Sequence, residues 1–232
     1  MDRNVQRFDV LGGASGAYGI EQHRVLRNTY WLLALSMLPT VLGAWVGVST
    51  GIWHLMSPGI TAILFLVGAY GLMAGIHATR NSSAGVFMLL GFTFFMGLML
   101  SNLIGFALGF RNGASLIMTA FGGTAGVFFG MATMATVVKR DLSGLSRFLM
   151  VGAIILVVAS LINVFVQSTA AMLAMSVVAM VIFSLFIMID VKRVLEGGET
   201  NYVLATLSIY LDLYNVFQSL LILLTSLGGD RD

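Results

Sequence analysis

The sequence predicts an all-α membrane protein, a seven-transmembrane-helix bundle with the last helix central. Three observations predict it. The chain is 58% hydrophobic and only 9% charged, with a mean hydropathy of +0.96, outside the range of ordinary soluble domains. Apolar runs long enough to cross about 30 Å of hydrocarbon as helices recur along nearly its whole length. The last run alone carries a polar stripe, which belongs inside a bundle or against water rather than lipid.

In chain order the runs are Tyr30–Val48, Ile60–Ile76, Ala84–Leu108, Ala114–Val138, Phe148–Val166, Met172–Ile189 and Tyr202–Leu227. Ile60–Ile76 is the shortest that will span. The loops between runs are short, so residues 25–232 form one membrane domain with no soluble catalytic module. Residues 1–24 precede it as a cytoplasmic tail. They hold Asp2, Arg3, Arg7, Asp9, Glu21 and Arg24 and no apolar core, so they do not read as a signal peptide. The first span then acts as an uncleaved signal anchor. The segment Val10–Gly19 contains four glycines and reads as flexible, a handle another protein could grip.

The basic residues orient the bundle. With the N-terminus in the cytoplasm, the inside segments hold Arg3, Arg7, Arg24, Arg27, Arg80, Lys139, Arg140, Arg147, Lys192 and Arg193, and the outside segments only Arg111 and Arg231. That asymmetry follows the positive-inside rule and requires an odd number of spans, with the C-terminus outside. It also accounts for the net charge of +2 and pI near 9.2 without a nucleic-acid partner.

Small residues recur at helical spacing: Gly43 and Gly47, Gly71 and Gly75, Gly105 and Gly109, and Gly122, Gly126 and Gly130. These faces are expected to let helix backbones approach one another within the bundle. Asn102 and Asn163, inside spans three and five, read as interhelical hydrogen-bonding groups. His54 stands in the first external loop without a visible partner.

The final hairpin is the most informative segment. Lys192 and Arg193 mark the cytoplasmic end of span six. Gly197 and Gly198 stop that helix, and Thr200 or Asn201 caps the next. Asp190 closes the sixth run and Asp212 sits inside the seventh. An ionised carboxylate in a span costs about 2.5–3.5 kcal/mol even on lenient insertion scales, so an acid there implies a use. Ser208, Asp212, Asn215 and Ser219, spaced four, three and four, put one polar face on the last helix. Counted from the helix ends, Asp190 and Asp212 differ in depth by roughly 7 Å. Contact between them needs a tilt, a longer sixth helix or a bridging group.

Two carboxyl groups near one another resist both being ionised. Such a pair shares a proton when the surroundings are acidic and pushes its helices apart when both groups ionise, which makes Asp190 and Asp212 a candidate pH sensor and gate. Ionised, the pair attracts hard cations. Two carboxylates fall short of the six to eight oxygens Ca²⁺ prefers, so weak binding or passage is expected rather than storage. Arg80 and His77, at the same cytoplasmic edge, would supply a cationic latch.

No enzyme chemistry is expected. The chain has no cysteine, which excludes disulfides and thiolate catalysis. The glycine-rich stretches lack the lysine and hydroxyl residues of a phosphate loop. Gly13–Gly16 imitates an intramembrane serine-protease motif, but it lies in the tail and no span carries a histidine. No cofactor is implied beyond weak Ca²⁺ at the acids.

The segment GGETNYVLATLSIYLDLYNVFQSLL (197–221), with the span count and the hairpin acids, resembles the Bax inhibitor-1 (TMBIM) family. VLRNTYWLLALSM (25–37), SPG (57–59), YGLM (70–73) and GGTAGVFF (122–129) are similar to its bacterial YccA-like branch. The resemblance runs from about Val25 to the C-terminus, and its polar-bearing segments are the specific part. It implies a seven-helix bundle in which six helices surround the last, in a bacterial inner membrane. Channel-like members are pH-sensitive Ca²⁺ leaks controlled by two aspartates in the last two spans, whose positions Asp190 and Asp212 match. Such members carry an acid in span two, which this chain lacks, and an Arg near its end, for which Arg80 or His77 stands. The best-known YccA-like member modulates the membrane-anchored protease FtsH, which would engage residues 1–24.

Overall fold

The computed structural model describes residues 3–51 and 57–229, with side chains from residue 22 onward except at residue 58. His54 lies outside the described residues. The described regular structure is helical throughout: α1 (Arg3–Thr50), α2 (Pro58–Thr79), α3 (Ser83–Leu108), α4 (Gly113–Val137), α5 (Ser143–Val166), α6 (Thr169–Leu195) and α7 (Tyr202–Gly228). Each is long and apolar enough to cross a membrane, α1 through its part Gln22–Thr50.

Local chemistry sets the helix ends. Ser57 accepts from the Ile60 N–H ahead of Pro58, which occupies the first turn of α2, where a missing N–H costs nothing. That start, with an end at Thr79, gives α2 22 residues, more than the sequence run suggested. Asn163 clamps the α5–α6 turn, donating to Ser168 O (3.2 Å) and accepting from Ser168 N (3.0 Å). Gln167 there adopts φ 55°. Gly197, at φ 74°, ends α6, and Gly198 N returns to Arg193 O at 2.8 Å. Asn201 caps α7, its side-chain oxygen accepting from Val203 N (3.0 Å) and Leu204 N (3.1 Å).

Helix α7 is the centre of the bundle. It packs against α1, α2, α3, α4 and α6, whereas α5 packs chiefly on α6. Twelve of its residues are buried, against two of α5, which is why α7 alone can carry a polar stripe without exposing it to lipid. The main core joins Ile76, Leu89, Phe92, Met96, Ile187, Val203, Ile209 and Val216 around it.

The glycine faces divide. On α1 they pack as expected: a Cβ on Gly43 would overlap the Phe94 carbonyl oxygen, and across the same contact one on Gly97 of α3, which is outside the glycine pairs read from the sequence, would overlap the Thr40 carbonyl oxygen. On α4 the expectation fails. Cβ atoms on Gly122, Gly126 and Gly130 would meet nothing within 4 Å, and the same holds at Gly71 and Gly105. Helix α4 instead buries Leu116, Ala120 and Thr124, a row two residues out of register with its glycines and therefore on the opposite face. Small side chains permit close approach; they do not compel it.

Helix α1 begins at Arg3, so residues 3–24, read as a flexible tail, have a helical backbone. Its four glycines each weaken a helix by about 1 kcal/mol relative to alanine, so this is the poorest helix-former in α1.

Candidate functional site

Helix α6 continues six residues beyond Ile189, to Leu195, so Asp190 is inside a helix rather than at its end. Its side chain is 13% exposed and lies 3.5 Å from Arg193 Nη1, one turn on. Ser208 of α7 lies at close range to the Asp190 carboxyl. Ser208 stands one turn before Asp212 on the same helix, a rise of about 6 Å. The depth difference between the acids is therefore spanned by Ser208, and Asp190 is near enough to act electrostatically on Asp212.

Asp212 is only 6% exposed. Its Oδ2 is the one buried side-chain oxygen or nitrogen among the described residues without a hydrogen-bond partner. Most buried polar atoms are paired, and an acid left otherwise is costly in a bundle interior. Along the same face Asn215 donates to Leu211 O (2.8 Å), a bond within its own helix, and Ser219 is buried. The structure thus brings together Asp190, Ser208 and Asp212 and aligns Asn215 and Ser219 above them.

It does not bring the expected latch to the pair. The His77 ring nitrogen Nδ1 lies 2.9 Å from Met73 O, within its own helix. Arg80 enters through its backbone: its carbonyl accepts from Asn201 Nδ2 (3.0 Å). Asn201 also donates to Asn81 Oδ1 (3.0 Å), so the residue that caps α7 ties it to the α2–α3 loop. Among the described residues, the cation paired with Asp190 is Arg193. The signal was present in the sequence, since residues three apart share a helix face.

Lys192 was read as an interfacial positive charge, yet it is 6% exposed. Its ammonium donates to Val138 O (2.7 Å) and pairs with Glu196. Val138 caps the C-terminus of α4, where a cation complements unpaired carbonyls. The two acid-bearing helices are thus moored separately at the basic end, α6 to α4 and α7 to the α2–α3 loop. Outside the spans, two hydrogen bonds from Ser143, to Asp141 Oδ1 (2.9 Å) and Oδ2 (2.8 Å), hold the Asp141 carboxyl below its usual range.

No group of three His, Cys, Asp or Glu side chains gathers among the described residues. On the side of α7 away from Asp212, Tyr210 OH lies 2.9 Å from Thr40 Oγ1 and donates to Thr93 O at 3.5 Å. Sequence reading passed over this buried network because tyrosine and threonine raise no alarm in an apolar run.

The comparisons with known proteins agree with this architecture. The family model described as "Inhibitor of apoptosis-promoting Bax1" matches residues 22–229. An uncharacterised membrane protein of Vibrio cholerae is 39% identical, covering 88% of this chain and 90% of its own. The Escherichia coli protein named "Modulator of FtsH protease YccA", also named an inner membrane protein, is 38% identical, covering 88% and 91%. An uncharacterised Neisseria meningitidis protein is 36% identical over 92% and 96%. With seven helices long and apolar enough to cross a membrane and a match that spans them all, the chain belongs to the Bax inhibitor-1 family.

Proposed function

We propose that the protein is a pH-sensitive leak for Ca²⁺ or a similar cation, with Asp190 and Asp212 as sensor and gate. The observation that carries this reading is the buried, unpartnered Asp212 carboxyl oxygen one turn from the Ser208–Asp190 contact. A proton on the pair keeps α6 and α7 together. Once both acids ionise, their repulsion in a poorly screened interior drives the helices apart, and the exposed carboxylates attract a cation. Separate mooring of α6 on α4 and of α7 on the α2–α3 loop lets the seam between them open while each helix stays anchored. Arg193 draws Asp190 toward the basic end, which the charge asymmetry expects in the cytoplasm.

The test is Ca²⁺ entry into dye-loaded liposomes over a pH series. The wild-type rate should rise with pH, and Asp212→Asn should flatten that dependence most, with Asp190→Asn next. A folded Asp212→Asn protein with an unchanged profile would remove the acid from gating.

The likeness to the FtsH modulator favours a second reading, in which the bundle is a docking body for that protease and residues 1–24 are the handle. Deleting residues 2–20 should then leave membrane insertion intact and change the protein's half-life only in cells that contain FtsH. Equal half-lives for both forms in both backgrounds would dismiss the tail as a handle. The two roles use different parts of the chain and are compatible.

A further inference from the structure

The end of the bundle opposite the basic loops holds a half-enclosed cavity of about 720 Å³, lined by residues of α3, α6 and α7. Its lining includes Asn102, Thr169 and Ser226, with Thr225, whose hydroxyl donates to Leu221 O (2.8 Å), set among Phe106, Phe110, Met172 and Ile222. Asn102 and Ile222 each lie about 9 Å from their helix ends, six residues at 1.5 Å per residue. The cavity therefore reaches past the terminal turns of both helices.

Asn102 was expected to bond a neighbouring helix. In the structure its side chain is exposed and faces this cavity. An amide offers two donors and an acceptor, and leaving them unbonded among lipid chains is costly. The rim adds to the demand. Helix α6 begins there at Thr169 and α7 ends there at Gly228, so helix-end N–H and C=O groups gather at the same opening, Ser168 accepting from Ala171 N (3.2 Å) and Met172 N (3.0 Å). Asn112 supplies one such partner, donating to Gly228 O at 2.7 Å. No acid or base lines the cavity, so nothing there selects an ion.

We infer that this cavity is a water-filled vestibule open to the face opposite the basic loops, with its floor at Asn102 and Ile222 and a packed plug between that floor and Asp212. Water suits all these groups at once, because it donates and accepts in any direction and fills irregular space beside aromatic walls. The plug is short. From Ile222 to Asp212 is about ten residues, or roughly 15 Å along α7, and it contains Val216 and Leu221, both fully buried. The vestibule admits water and small hydrophilic solutes of either charge to Asn102 and stops them there. It stands whether or not an ion ever crosses the plug.

The absence of cysteine from the chain makes the test direct. Single-cysteine proteins Asn102→Cys, Met172→Cys and Ser226→Cys would report the vestibule, Ser219→Cys the plug, and Met118→Cys the lipid-facing surface of α4, where Met118 is 74% exposed. A membrane-impermeant cationic methanethiosulfonate is applied to the face that carries the C-terminus. The reagent needs a thiolate, which forms in water and not in hydrocarbon, so the vestibule positions should react at least about tenfold faster than Met118→Cys and Ser219→Cys. Met172→Cys keeps the test open if Asn102→Cys fails to fold. Vestibule cysteines no faster than Met118→Cys would mean that lipid chains fill the cavity, and the inference falls. Ser219→Cys reacting as fast as the vestibule positions would show there is no plug, which overturns the dead-end arrangement.

Discussion

Helix α7 has two polar faces, and the bundle treats them in opposite ways. Toward α1 and α3, Thr206 donates to Thr29 O (3.3 Å), and Tyr210 reaches Thr40 Oγ1 (2.9 Å) and Thr93 O (3.5 Å). Behind this face α1 and α3 meet backbone to backbone at Gly43 and Gly97. Toward α6, Asp212 keeps an unbonded oxygen, and Asp190 lies beside Ser208 and pairs with Arg193. Tyr210 and Asp212 are two residues apart, about 200° around the helix. One face is satisfied and closed by main-chain contact. The other keeps an unbonded carboxyl oxygen. A polar residue in a span is thus structural when its partners are complete and a candidate for function when they are not.

The largest expected effect tests the closed face. Gly97→Ala places a methyl against the Thr40 carbonyl, and Gly126→Ala places the same methyl in open space on α4. Both substitutions gain about 1 kcal/mol of helix propensity, so that contribution cancels in the comparison. Overpacking should cost Gly97→Ala about 1–3 kcal/mol or more. Thermal unfolding in detergent should show Gly97→Ala well below wild type and Gly126→Ala at or above it. Equal midpoints would mean that the α1–α3 contact yields, and the contrast between the two faces would weaken.

That pair of glycines also shows what the sequence could and could not reveal. Hydropathy alone located all seven spans, because apolar length is a local property. Asn201 was legible as a cap for the same reason. The sequence could not show that Gly43 meets a backbone and Gly126 meets nothing, since spacing marks a helix as approachable without naming the neighbour. Lys192 was misread for a related reason: its position fits the positive-inside pattern, while its partner, the Val138 carbonyl, is 54 residues away. Asp190 and Asp212 stood out because a charge in an apolar run is anomalous on any fold. Their link through Ser208 needed the register between α6 and α7, which only tertiary structure supplies.

The smallest expected effect bears on the acid itself. Tyr210→Phe removes one hydroxyl whose partners are in place and should cost about 1 kcal/mol, the net worth of a buried hydrogen bond. Asp212→Asn keeps the shape and removes the charge. Because no completed hydrogen bond is lost at Oδ2, it should cost less than Tyr210→Phe at acidic pH. As pH rises it should become the more stable form, since it can no longer ionise beside Asp190. Unfolding midpoints for both variants, measured in the same detergent across a pH series, decide the matter. If Asp212→Asn loses more than Tyr210→Phe at every pH, then Asp212 is structural support like its neighbour. Its unbonded oxygen would carry no functional meaning, and the two faces of α7 would differ in chemistry alone.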